Sequence, residues 1–201
     1  MTKSGVLGLV MMLAPAIAFG VDGQTLINQS TVMASGGFPF KITQPGSYKL
    51  TGNLNAPAGV NGIEISTSYV TLDLNGFGVF GPAQVCAGPG SCNTLLGILV
   101  ANSQQNVTIR NGTIVGFGTQ ISMFATTRGL AEDLILSGVP GGNQNGVSNF
   151  GQYSVVRHVV TDDELSLHCP TVAVENVSPL GFFRLGTPSD CVLSNNSGPV
   201  F

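Results

Sequence analysis

The chain has 201 residues, enough for one domain with a continuous core. Charged residues make up only 8 % of it, against about 25 % in an ordinary soluble domain, so Ser, Thr, Asn, Gln and Gly must cover the surface. A formal net charge of −3 with no basic cluster excludes an electrostatic nucleic-acid interface.

In chain order, Lys3 and the apolar run "VLGLVMMLAPAIA" (6–18), ending in Ala16-Ile17-Ala18, predict a signal peptide over residues 1–18. Export to the periplasm, the cell surface or the medium follows as an expectation. The run is shorter than the ~20 apolar residues a bilayer requires, and the mature chain is expected to hold no integral membrane segment. Residues 19–41 read as an N-terminal cap segment, and repeats are expected from 42 to 201.

From there the signal is all β. Runs such as "GIEI" (62–65), "VTLDL" (70–74), "GILV" (97–100), "VTIRN" (107–111), "LILSG" (134–138), "SVVRHVV" (154–160), "TVAVENV" (171–177) and "CVLSN" (191–195) alternate apolar with polar residues. Gly, Asn, Pro or Ser breaks each one, and no sustained helical period is visible after residue 18. Four cysteines suit an oxidising compartment. Cys86 and Cys92 bracket "AGPGS" and read as a small disulfide loop, leaving Cys169 with Cys191. Neither spacing is that of a metal site.

Aligned on an apolar residue followed by polar ones, these runs fall into a repeat. One column reads Asp73, Arg110, Glu132, Arg157, Glu175, Ser194, and a second reads Asn75, Asn111, Asp133, His158, Asn176, Asn195. Most spacings lie near 20 residues, and the Cys86–Cys92 insertion explains the longest. Such a period is that of one turn of a parallel β-solenoid. Stacked coils would set opposite charges of the first column one strand spacing apart. The Asn residues would bend the chain and pair their amides along the stack.

The segments "ITQPGSYKLTGNL" (42–54), "GIEISTSYVTLDLNGFGVFG" (62–81) and "NVTIRNGTIVGFG" (106–118) resemble exported bacterial right-handed parallel β-helix repeat proteins of pectate-lyase-like architecture. The resemblance implies a right-handed parallel β-helix of about six coils over residues 42–201. It does not carry an activity, since the matching residues build coils. Enzymes of this architecture cut acidic polysaccharides with carboxylates, calcium, and Arg or Lys. The nearest counterpart here is "RHVVTDDELSLH" (157–168), with Arg157, His158, Asp162, Asp163, Glu164 and His168. Paired carboxylates there would suit a lyase or glycoside hydrolase acting on uronate-containing polymers, or a Ca²⁺ ion. Against this, Arg157 and His158 already occupy ladder columns, and "TDDE" (161–164) reads as a solvated turn that Arg184 could pair with. The "DPHD" and "GHG…RIK" motifs of related enzymes are missing.

The leading expectation is therefore a non-catalytic secreted or surface scaffold, binding polysaccharide without a cofactor. Sugar stacking wants exposed aromatic rings, and Tyr69, Phe117, Phe150 and Tyr153 are the candidates. An adhesin or assembly module is the third reading. It rests on "GPVF" (198–201), which supplies no polar cap, so that the last coil is covered by the terminus itself, by further chain or by self-association. Asn-x-Ser/Thr triplets begin at Asn28, Asn106, Asn111, Asn176 and Asn195; they read as turn chemistry before glycosylation.

Overall fold

The computed structural model describes residues 23–82, 95–139, 145–185 and 191–201, and the side chains of 145, 149, 150 and 183–185 are not among what it describes. The Cys86–Cys92 loop lies outside the described residues.

Alternating short apolar runs form parallel strands in two sheets. The larger sheet contains β1 (Gln24–Ile27), β3 (Gly46–Leu50), β6 (Val70–Asp73), β9 (Val107–Val115), β11 (Leu130–Ser137), β13 (Ser154–Thr161), β15 (Thr171–Val174) and β17 (Val192–Ser194) in that spatial order. Two short strands, β4 (Leu54–Asn55) and β7 (Gly78–Phe80), join it through β9. The second sheet runs from β2 (Phe40–Ile42) through β5 (Ile63–Ile65), β8 (Leu96–Val100), β10 (Thr119–Ser122), β12 (Asn145–Phe150) and β14 (Glu164–His168) to β16 (Phe182–Leu185). Among the described residues every pair of hydrogen-bonded strands lies two or three strands apart in the chain, so no two sequential strands pair. This all-β, parallel connectivity is compatible with a β-solenoid.

Period-two alternation fixes what is buried. In the larger sheet Leu72, Ile109, Ala131, Val156 and Ala173 stand in register, and none is exposed. In the second sheet Phe40, Ile63, Ile98, Ile121, Val147, Leu165 and Phe182 form the facing column. The two columns belong to one hydrophobic core. A one-residue slip of any strand would turn its apolar set outward, so burial itself sets the register.

One short helix, α1 (Gln29–Ala34), lies between β1 and β2. Six residues are too few to show a helical period. Its start is instead fixed by a capping box, in which Thr31 N–H donates to Asn28 Oδ1 and Asn28 N–H donates to Thr31 Oγ1. Val32 of α1 is fully buried in the core. Among the described residues no helix is long and apolar enough to cross a membrane.

Cys169 and Cys191 form a disulfide with a Cα–Cα distance of 5.0 Å, joining the start of β15 to the start of β17. The bridge closes a segment 22 residues long, and loop-closure entropy of that size corresponds to about 3 kcal/mol. Cys169→Ser/Cys191→Ser is expected to lower the thermal midpoint to that extent; equal melts of the two proteins under oxidising conditions would refute it.

Candidate functional site

Both ladder columns lie at the turn inside the larger sheet. Asp73, Arg110, Glu132 and Arg157 are cross-strand neighbours in one row. Arg110 donates to Asp73 at 3.2 Å and Arg157 Nε donates to Glu132 at 2.8 Å. Glu132 is nearly buried, and its hydrogen bond and negative charge hold the Arg157 proton more firmly than usual. The next place in this row belongs to Val174, not to Glu175. Glu175 instead joins the turn column, where Asn75, Asn111, Asp133, His158, Glu175 and Asn195 all adopt left-handed backbone with φ of 52–59°.

That correction creates a contact the sequence did not suggest. His158 Nδ1 lies 2.9 Å from Asp133 and its Nε2 lies 2.8 Å from Glu175. Two ionised carboxylates can only accept, so both contacts are hydrogen bonds only when the imidazole carries two protons. The hydrogen bonds to Asp133 and then Glu175 accordingly raise the pKa of His158.

Asn176 is likewise displaced from its expected column. It follows the turn residue Glu175 and is fully buried. Its Oδ1 accepts from Val159 N–H at 3.0 Å, and its Nδ2 donates to Val156 C=O and to Asn196 Oδ1, both at 3.0 Å. Asn196 Nδ2 in turn donates to Ala173 C=O. One amide pair, Asn176–Asn196, thus stacks across neighbouring strands, one residue beyond the turn, with only Asn176 fully buried.

The other members of the 157–168 cluster are dispersed. Arg157 and His158 lie in mid-β13, Asp162 and Asp163 lie in the link to β14, and Glu164 and His168 occupy opposite ends of β14. Asp162 is exposed and accepts from Ser137 Oγ at 2.7 Å and Gly138 N–H at 3.1 Å. The expected solvated turn is half wrong. Thr161 and Asp163 are each 2 % exposed, because strand alternation continues through the link and points odd-numbered residues inward. Asp163 Oδ2 has no hydrogen-bond partner. Burial, and then the charge of Asp162, push the Asp163 carboxyl up to about 7. Burial also raises Glu164. Backbone register sets Arg184 opposite Leu167, well along β14 from the two aspartates. No group of three or more His, Cys, Asp or Glu among the described residues is placed to hold a metal ion.

A different corner gathers exposed functional groups. Tyr69, Asn106 and Tyr153 immediately precede β6, β9 and β13, and Arg128 lies two residues before β11. All four have left-handed backbone, with φ of 62°, 53°, 58° and 56° respectively. Backbone bonds link the successive corners: Tyr69 N–H donates to Gln105 C=O, Asn106 N–H to Thr127 C=O, and Arg128 N–H to Gln152 C=O. Tyr69 is 62 % exposed and Tyr153 67 % exposed. Of the other aromatic candidates, Phe117 is fully buried, and the Phe150 side chain is outside the described set.

Between the tyrosines, Arg128 donates from Nε to Asn106 Oδ1 and from Nη2 to Gln105 Oε1, both at 2.8 Å. Both acceptors are neutral, so the guanidinium is fixed in place by amides, and among the described residues no carboxylate pairs with it. Beside it opens a cavity of about 240 Å³ lined by Phe124, Ala125, Thr127, Gly151, Gln152 and His168. Sequence reasoning overlooked Arg128, Phe124 and Gln152. A signal existed: "SYVTLD" (68–73) laid over "QNVTIR" (105–110) sets Tyr69 on Asn106, a residue type typical of turns.

The same geometry assigns structural tasks to the sequon asparagines. Asn28 caps α1, Asn106 holds Arg128, Asn111 donates to Asp73, and Asn176 is buried. No family model, curated protein or solved structure matches the chain.

Proposed function

We propose that the protein is an exported scaffold, a right-handed parallel β-helix of about six coils, that binds polysaccharide without catalysis along the Tyr69–Asn106–Arg128–Tyr153 corner. The observation that carries this reading is the pair of exposed tyrosines held in left-handed backbone. A bulky residue at positive φ is a costly choice, and persistent backbone strain of this kind concentrates at functional sites. Tyrosine offers an apolar face to a sugar ring and a polar edge to its hydroxyls. With coils about 4.8 Å apart, the rings stand about 14 Å from each other, the reach of a short oligosaccharide laid along the stack. Arg128 and the Gln105–Asn106 amides supply hydrogen bonds between them. The dispersal of the 157–168 cluster favours binding over bond cleavage.

The strain makes the reading testable. Tyr69→Asn and Tyr153→Asn are each expected to raise stability by about 1 kcal/mol, since Asn tolerates the left-handed region. Each is expected to weaken binding to pectin, xylan or galactomannan, whichever the wild type retains, by about five-fold, on the order of 1 kcal/mol. Stability gained with binding retained would overturn the assignment. So would unsaturated products or new reducing ends that disappear in Asp162→Ala/Asp163→Ala.

A further inference from the structure

The cavity beside Arg128 has a chemistry of its own. One wall is Phe124, which is 49 % exposed although it is among the largest apolar side chains. Gln152 and His168 also line it. Neither the Gln152 amide nor the His168 ring is used by any hydrogen bond in the described structure, while Gln105, Asn106 and Arg128 nearby are all engaged. Thr126, between the lining residues Ala125 and Thr127, keeps a buried hydroxyl with no partner.

The shape is fixed by backbone. Ala125 sits at φ 55°. A Cβ on Gly151 would come within 1.8 Å of the Thr126 carbonyl oxygen, so that position admits glycine alone. The volume of about 240 Å³ lies below the about 300–1,000 Å³ of pockets that enclose drug-sized ligands. It is room for one ring rather than a chain segment. An aromatic side chain and two unengaged hydrogen-bonding side chains lining one cavity suit a ring that is apolar on its face and polar at its edge.

We propose that this cavity is a subsite for a single pendant sugar ring, a side branch of the polysaccharide whose backbone lies along the tyrosine corner. It rests on the polysaccharide-binding reading. Thr127 and Gln152 line the cavity and directly precede Arg128 and Tyr153 in the chain, so the cavity adjoins the corner and lies within reach of a branch leaving a backbone there. The protein would accordingly select branched over linear polymers, and Phe124, Gln152 and His168 would determine that specificity.

The test uses the full chain with pectin, arabinoxylan and galactomannan, each before and after enzymatic debranching, by calorimetry or affinity electrophoresis. The branched form of the retained polymer is expected to bind about ten-fold more tightly than its debranched form. Phe124→Ala, and independently Gln152→Ala, is expected to abolish that preference. Amide NMR with free galactose, arabinose and galacturonate at millimolar concentration is expected to shift Phe124–Thr127, Gly151–Gln152 and His168. Equal binding of branched and debranched polymer overturns the branch subsite while leaving the corner intact. If debranching is neutral but shortening the polymer to raise its number of ends strengthens binding, the ring is a chain end and the branch assignment fails. If the wild type retains no polymer, the polysaccharide reading and the subsite fall together.

Discussion

Asn176→Ala is expected to destabilise the fold by about 2–5 kcal/mol, read as a shift in the denaturant midpoint with an unchanged slope. The asparagine is fully buried. Removing its side chain leaves the Val159 N–H and the Val156 C=O without the partners they have now, and each orphaned buried group costs about 1–3 kcal/mol. Asn196 keeps two contacts, since it still accepts from the Asn176 backbone N–H at 2.9 Å and donates to Ala173 C=O at 2.8 Å. Asn111→Ala makes the comparison sharp. Asn111 is an exposed turn residue whose amide reaches only Asp73, at 3.2 Å, so its loss should cost about 1 kcal/mol, mostly for the left-handed backbone. Equal effects at the two positions would show that the buried amide does not carry the turn.

Why the sequence placed Asn111 correctly and Asn176 wrongly is a matter of which signals are local. Asp73, Arg110, Glu132 and Arg157 were legible because their charges alternate in sign at the spacing of the repeat, and the structure sets them in one row. In "TVAVEN" (171–176) the charge lies one place later. Val172 and Val174 are the partly exposed residues while small Ala173 is the buried one. Apolarity alone points to the valines, and that one-residue slip moved both Glu175 and Asn176. The Asp133–His158–Glu175 contact stayed hidden for the same reason. The parallel, all-β character was legible throughout, because it rests on many alternating runs rather than on any one. The tyrosine corner was not, since nothing in Tyr69 or Tyr153 announces a left-handed backbone that tyrosine rarely adopts. Asp163 was misread because adjacent acidic residues look solvated, whereas alternation assigns Asp162 and Asp163 opposite sides.

That buried aspartate gives the second large effect, and it depends on pH. In the fold, Asp163 holds its proton up to about 7, while in the unfolded chain an aspartate ionises near pH ~3.9. Below that value both states are protonated and the stability is fully present. As pH rises toward 7 the unfolded chain releases its proton first, and stability falls until the folded carboxyl ionises too. At about 1.4 kcal/mol per pH unit, this window amounts to about 4 kcal/mol. His158 acts in the same direction. Its raised pKa makes the bonds to Asp133 and Glu175 complete at acid pH, and they are lost as pH climbs past the raised value. Asp163→Asn should therefore stabilise the protein by about 2–4 kcal/mol at pH 8 and by little at pH 4. It should flatten the part of the stability profile that Asp163 sets and leave the decline that His158 sets. A variant that gains nothing at pH 8, or whose slope between pH 4 and pH 7 matches the wild type, would show that the Asp163 carboxyl is not held neutral by the fold.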